Sequence, residues 1–221
     1  MNTIEDSILQ KVIDWANTHD IPDLKWIQHD SYKKGGYFKG IPKDKQKLAE
    51  LTTLNLLGYQ LPYLPKELYK LTNLTRLHLS GNKLTELPSE IGQLVNLYEI
   101  YIAGNHLVSL DAKLGSLSKL KILILPENRL TQLPKELGNL HSLEVLELGG
   151  NKLTSLPKDI GKLVNLTKLT LWKNKLTSLP KEMQELTNLK EFDIMYNTIG
   201  LSTENVLWLE KLMTEECSVN I

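Results

Sequence analysis

From Leu51 onward the sequence repeats itself every 23 residues. Written in lines of that length, Leu51, Leu74, Leu97, Leu120, Leu143, Leu166 and Leu189 head successive lines. The fourth place holds Leu54, Leu77, Ile100, Leu123, Leu146, Leu169 and Phe192, and the sixth holds Leu56, Leu79, Ile102, Leu125, Leu148, Leu171 and Ile194. The eleventh is leucine or isoleucine from Leu61 to Ile199. Asn82, Asn105, Asn128, Asn151, Asn174 and Asn197 fill the ninth place in every line but the first, where Tyr59 stands. Leu64-Pro65, Leu87-Pro88, Leu133-Pro134, Leu156-Pro157 and Leu179-Pro180 recur further on. A period of this length means one supersecondary unit used repeatedly, with each copy burying its apolar side against its neighbours.

Each column has a physical reading. Apolar fourth and sixth places alternate with more variable third, fifth and seventh places, the pattern of a short half-buried strand, so stacked units make a parallel sheet. An asparagine just past the strand can pair backbone groups of the adjoining turn that would otherwise be buried unpaired. The proline fixes its own φ and lacks an amide hydrogen, so it ends one segment and starts the return. Gly92, Gly115, Gly138 and Gly161 are expected to let the chain turn tightly.

These residues resemble the leucine-rich repeat proteins, in their 23-residue intracellular and bacterial type. Leu74 to Asn96 and Leu143 to Asn165 fit the pattern LxxLxLxxNxLxxLPxxIGxLxx throughout. The resemblance implies an α/β fold: a curved, right-handed solenoid with parallel strands on the concave face and helical caps at both ends. Asp111 in place of the proline, and Met183-Gln184 in place of Ile-Gly, depart from the pattern. The outer side is expected to be looser at both. Some bacterial relatives join such repeats to a ubiquitin-ligase domain with a catalytic cysteine; with only 22 residues given after Ile199, such a domain is not expected here.

Three regions follow. Residues 1–50 read as a helical cap and a degenerate repeat, 51–199 as six full repeats and one partial, and 200–221 as a second cap. Thr3 to about Asn17 places Ile4, Ile8, Leu9, Val12, Ile13, Trp15 and Ala16 on one helical face behind an Asn2 or Thr3 N-cap. Phe38, Ile41-Pro42 and Leu48 fall in register with a preceding repeat. Ser202 or Thr203 before Glu204 signals a last helix carrying Val206, Leu209 and Leu212 or Met213 inward.

Composition narrows the function. With 26 Lys+Arg against 26 Asp+Glu the net charge is zero, which gives no long-range field to gather nucleic acid or an anionic membrane. Lys66, Lys135, Lys158 and Lys181 are each followed by an acid, so local charge cancels there too. No apolar run approaches the roughly 20 residues a bilayer requires, and the start MNTIEDSILQ lacks the form of a secretory signal. One cysteine, Cys217, excludes an internal disulfide and suits a reducing compartment.

No HExxH, GxSxG or GxGxxG string occurs, and Gly35 to Ile41 lacks a phosphate-loop lysine and reads as an ordinary loop. The five histidines have no ligand-like spacing. Asn73 and Asn165 sit in Asn-Leu-Thr strings that the repeat itself produces. Neither an enzyme nor a cofactor or metal is expected.

The informative residues are those pointing out of the sheet. Tyr101, Ile122, Ile124, Val145 and Trp172 form an apolar centre, rimmed by Arg76, Glu99, Glu147, Lys168 and Asp193, with His78 and Met195 in the same rows. An apolar patch with a charged rim is the anatomy of a protein interface, and Tyr and Trp are frequent anchors. Strand propensity also explains Ile122, Ile124 and Val145; Trp172 it does not, since a threonine would serve, as at Thr170. The expected function is a non-catalytic module binding an unknown partner protein, cytoplasmic or exported as an effector, its oligomeric state left open with a lean toward the monomer. The alternatives are a metal- or ligand-dependent sensor or enzyme using His78 and Glu147, and a homo-oligomer formed through the same patch.

Overall fold

The structure, a computed structural model, describes residues 4–28, 36–215 and 217–221. The chain begins with helix α1 (Asp6–Thr18), a two-stranded antiparallel hairpin of β1 (Lys25–Gln28) and β2 (Gly36–Lys39), and the short helix α2 (Lys45–Ala49). Seven three-residue strands follow, one per repeat: β3 (Thr53–Asn55), β4 (Arg76–His78), β5 (Glu99–Tyr101), β6 (Ile122–Ile124), β7 (Val145–Glu147), β8 (Lys168–Thr170) and β9 (Glu191–Asp193). Helix α3 (Thr203–Thr214) and β10 (Ser218–Asn220) close the described chain. β3 to β9 pair in sequence order and in parallel, each residue opposite the one 23 places on, and β10 adds an eighth strand beside β9. This is the α/β solenoid that the period implies.

The core is the stack of alternate places. The middle residue of every strand from Leu54 to Phe192 is fully buried, while its two neighbours look the other way. The asparagine ladder ties coil to coil. Asn82 accepts from the Leu61 amide at 2.9 Å and donates to the Leu56 carbonyl of the preceding coil and to its own Leu79 carbonyl. Asn105, Asn128, Asn151, Asn174 and Asn197 repeat the arrangement. Tyr59 replaces it in the first coil, where no repeat of this kind precedes. A second ladder lies at the last place of the repeat: Asn73, Asn96, Asn165 and Asn188 each donate to a carbonyl 24 residues earlier.

Each return passes through a five-residue 3-10 turn. The proline ahead of it takes φ between −66° and −70°. The third turn is no looser than the rest. Asp111 adopts φ −71° and its side chain accepts from the Lys113 amide at 2.8 Å, so a capping bond replaces the proline's restriction. The sixth is regular too, with Met183 fully buried.

The four glycines of the turns have a different role from the one expected. None has a positive φ. A Cβ on Gly115, Gly138 or Gly161 would stand 2.2–2.4 Å from a carbonyl oxygen of the next turn, so glycine is there for close approach between coils. Gln184 holds the same place in the last coil, where no further 3-10 turn follows, and is exposed. The left-handed column lies instead at the eighth place: Gly58, Gly81, Gly104, Glu127, Gly150, Lys173 and Tyr196 all have φ between 52° and 75°.

At the start of the chain, Asn2 and Thr3 lie outside the described residues, and α1 begins at Asp6 without a side-chain cap. Its Leu9, Val12, Ile13, Trp15 and Ala16 are buried, and it packs on α2 and on the first 3-10 turn. Gly36–Lys39 is strand β2 rather than loop, and Gly40 bridges to Asn55, laying the hairpin beside β3. Ile41 and Leu48 are buried, whereas Phe38 is exposed. At the other end Ser202 caps α3 by accepting from the Asn205 amide. Leu209 and Leu212 point inward as expected, but Val206 and Met213 are exposed. Trp208 takes the inner face with them, edge-on to Phe192 at 5.3 Å. Cys217 is buried, and burial raises its thiol pKa.

Candidate functional site

Since the middle residue of each strand fills the core, the flanking residues form one open sheet face. The register places Tyr101 beside Ile124 and Ile122 beside Val145 on adjacent strands. All four are half-buried. Strand stacking thus gathers residues of three successive coils into a single apolar patch.

Trp172 lies one coil further on, just past β8. Its ring lies directly over Gly149, where any Cβ would collide with the indole, and its far edge approaches Gly150. The indole therefore folds back one coil from its own strand, over the coil of β7. Gly149 is what makes room for it.

On the side toward the start of the chain, His78 stacks on Tyr101 with ring centroids 4.3 Å apart. The Tyr101 hydroxyl donates to Glu99 at 3.3 Å, and Glu99 is paired with Arg76 at 3.2 Å. Burial lowers the His78 pKa, with Glu99 opposing and Arg76 reinforcing. Burial and the adjacent Glu99 carboxylate raise that of Tyr101.

On the far side, Lys168 bridges Glu147 at 3.0 Å and Glu191 at 3.1 Å, and the hydrogen bond to Glu147 is the main cause of its raised pKa. Asp193 accepts from the Met195 amide at 3.0 Å. Thr170, between them, is buried, and its hydroxyl has no partner among the described residues. The rim charges are thus largely satisfied within the face. They frame the patch rather than offer free ions.

His78 and Glu147 do not converge. β5 and β6 lie between their strands, a separation of about 14 Å at ordinary strand spacing. Among the described residues no group of three His, Cys, Asp or Glu is placed to hold a metal ion. A cleft of about 560 Å³ opens at the first coils, lined by Leu24, Phe38, Pro42, Asn55, Arg76 and His78 among others. Column reading had not pointed to it, because the hairpin that forms one wall lies outside the repeat. No helix of the structure is long and apolar enough to cross a membrane.

A sheet gaining one strand and one 3-10 turn every 23 residues defines a repeat solenoid. The family follows from comparison. Residues 105–214 match the family model described as a leucine-rich repeat region, and residues 72–115 match that for leucine-rich repeats in two copies. The chain belongs to the leucine-rich repeat proteins.

Among solved structures, a leucine-rich repeat protein of Leptospira interrogans is similar at 37% identity and a TM-score of 0.61. The match covers 83% of this chain and 52% of that one. The plant peptide hormone receptor RGFR1, solved in complex with RGF2, is similar at 32% identity and a TM-score of 0.61, over 69% of this chain and 29% of that one. The chain therefore spans about half of the first protein and under a third of the second. No curated protein matches it significantly. Leucine-rich repeats are in general protein-interaction modules, and this chain is one of them in that general sense.

Proposed function

We propose that this chain is a non-catalytic module that holds a partner protein on the open face of its sheet, the inner side of a curved array. The observation that carries this reading is the in-register patch of Tyr101, Ile122, Ile124 and Val145, extended by Trp172 over Gly149. Apolar area supported on one side only, with its surrounding charges already paired, gains most by association, since little polar desolvation is left uncompensated. Arg76, His78, Glu99, Glu147, Lys168, Asp193 and Met195 form the surround that sets partner and register.

On this reading residues 51–199 are the binding array, with 1–50 and 200–221 covering its two ends. The fit to the bacterial 23-residue pattern and the likeness to the Leptospira protein support a bacterial type. The lone buried Cys217 suits a reducing compartment, the cytoplasm or that of a cell into which the protein is exported.

The test is affinity capture, wild type beside a Tyr101→Ala, Ile124→Glu, Trp172→Ala variant, with unfolding curves of both. Loss of captured protein at nearly unchanged stability is expected. Equal capture by the variant ends the proposal. Sedimentation over a range of concentrations identifies the case in which the captured partner is a second copy of this chain.

A further inference from the structure

Along the strand ends the open face is bordered by a second row, at the tenth place of the repeat. Its occupants are Lys83, His106, Arg129, Lys152 and Lys175. Each is held in step, its amide donating at 2.9 Å to the carbonyl of the eleventh-place leucine one coil back. The four cations are exposed, and none is in an ion pair among the described residues. Lys173, two residues before Lys175, is exposed as well. Only Glu127 and Glu86 oppose them in the loops of this edge. Zero net charge therefore conceals a segregation, with the cations of the face paired and those of its border unpaired.

We propose that this border and the adjoining apolar patch together receive an acidic amphipathic segment of the partner protein, lying across the coils. The inference rests on the open face being the interface and names the chemistry of what it takes. The rungs stand about 4.8 Å apart, one per coil. One turn of a helix rises 5.4 Å, so a helix laid along the row offers one carboxylate per rung, with an apolar stripe turned toward Ile124, Val145 and Trp172. A uniform polyanion fits less well, because Glu147 and Glu191 share one lysine and Asp193 has no cation among the described residues, which leaves the face beside the row net acidic, whereas a segment with one acidic side avoids it.

The probe is a phage-displayed library of random peptides of about 16 residues, some four helical turns. It is selected on the wild type, on Lys83→Glu/Arg129→Glu/Lys152→Glu/Lys175→Glu, and on Ile124→Glu. The four cations are exposed and unpaired among the described residues, and Ile124 is only half-buried, so circular dichroism and an unfolding curve of each variant are taken beside the wild type to confirm that both stay folded. Wild-type selection is expected to enrich Asp and Glu by about threefold or more, the fourfold reversal to turn that bias toward Lys and Arg, and Ile124→Glu to abolish recovery. Peptides lost on Ile124→Glu but without acidic enrichment overturn the inference and leave the interface standing. Peptides indifferent to Ile124→Glu, or none recovered, remove the interface and the inference with it. Heparin or single-stranded DNA held equally well by wild type and Ile124→Glu, and lost on the reversal, makes the row a polyanion site and overturns the proposal.

Discussion

Asn128 donates to the carbonyl of Ile102, in the coil before it, at 2.9 Å. The same amide also donates to Leu125, and its oxygen accepts from Leu107. One side chain thus satisfies backbone groups of two coils that have no route to water.

Asn128→Ala is therefore expected to cost about 3 kcal/mol, since buried donors and acceptors lose their partner at once. Because the bonds cross a coil boundary, the halves on either side should also uncouple, broadening the transition. Urea unfolding followed by circular dichroism measures both. A loss below about 1 kcal/mol would mean that water replaces the side chain.

The turn glycines make a separate prediction. Gly138→Ala puts a Cβ 2.4 Å from the Asp159 carbonyl, and forcing the turns apart should cost about 1–3 kcal/mol. Gln184→Ala, at the same place in the last coil, should change stability by no more than about 0.5 kcal/mol. Equal effects at the two positions would refute close approach as the reason for glycine.

Columns that are buried in every coil were legible in the sequence, because burial permits only a few side chains and the period then shows itself. The eighth place was not. Its constraint is a backbone angle, which glycine marks at Gly58, Gly81, Gly104 and Gly150 but which Glu127, Lys173 and Tyr196, sharing no side-chain property, conceal. The apolar centre was legible in part: alternation put Ile124 and Val145 on the open face, but the fold of Trp172 over Gly149 depends on a residue in another coil. Unpaired Lys83, Arg129, Lys152 and Lys175 could have been found by reading the place after each asparagine. A net charge of zero masked them. Strand β10 carries no repeat signature, the register of Phe38 and Ile41 with a preceding repeat did not reveal the hairpin of β1 and β2, and the inward turn of Trp208 instead of Val206 is set by where Phe192 lies.

The eighth place can be tested directly. A left-handed residue other than glycine costs on the order of 1 kcal/mol, so Lys173→Gly should stabilise the fold by about that much. Gly104→Ala should destabilise it by a similar amount, since the added Cβ meets nothing closer than 3.8 Å and only its φ of 62° is at issue. Thermal and urea midpoints of the two variants should move in opposite directions. Movement in the same direction would show that side-chain contacts dominate there.

His78 gives the face a pH dependence. Burial against Tyr101 holds its imidazole below the ordinary value of about 6.5. As pH falls, the unfolded chain therefore takes up the proton first, and the folded state only at lower pH. The sign follows from proton linkage: stability from this site is whole above about pH 6.5 and declines as pH drops toward the lowered folded value. Glu99, already engaged by Arg76 and Tyr101, opposes the shift without cancelling it. His78→Gln should flatten the stability profile in that window while leaving the profile above it parallel to the wild type. Urea midpoints from about pH 7.5 down to 5.5 are the measurement, and an unchanged slope in the variant would assign the dependence to another group.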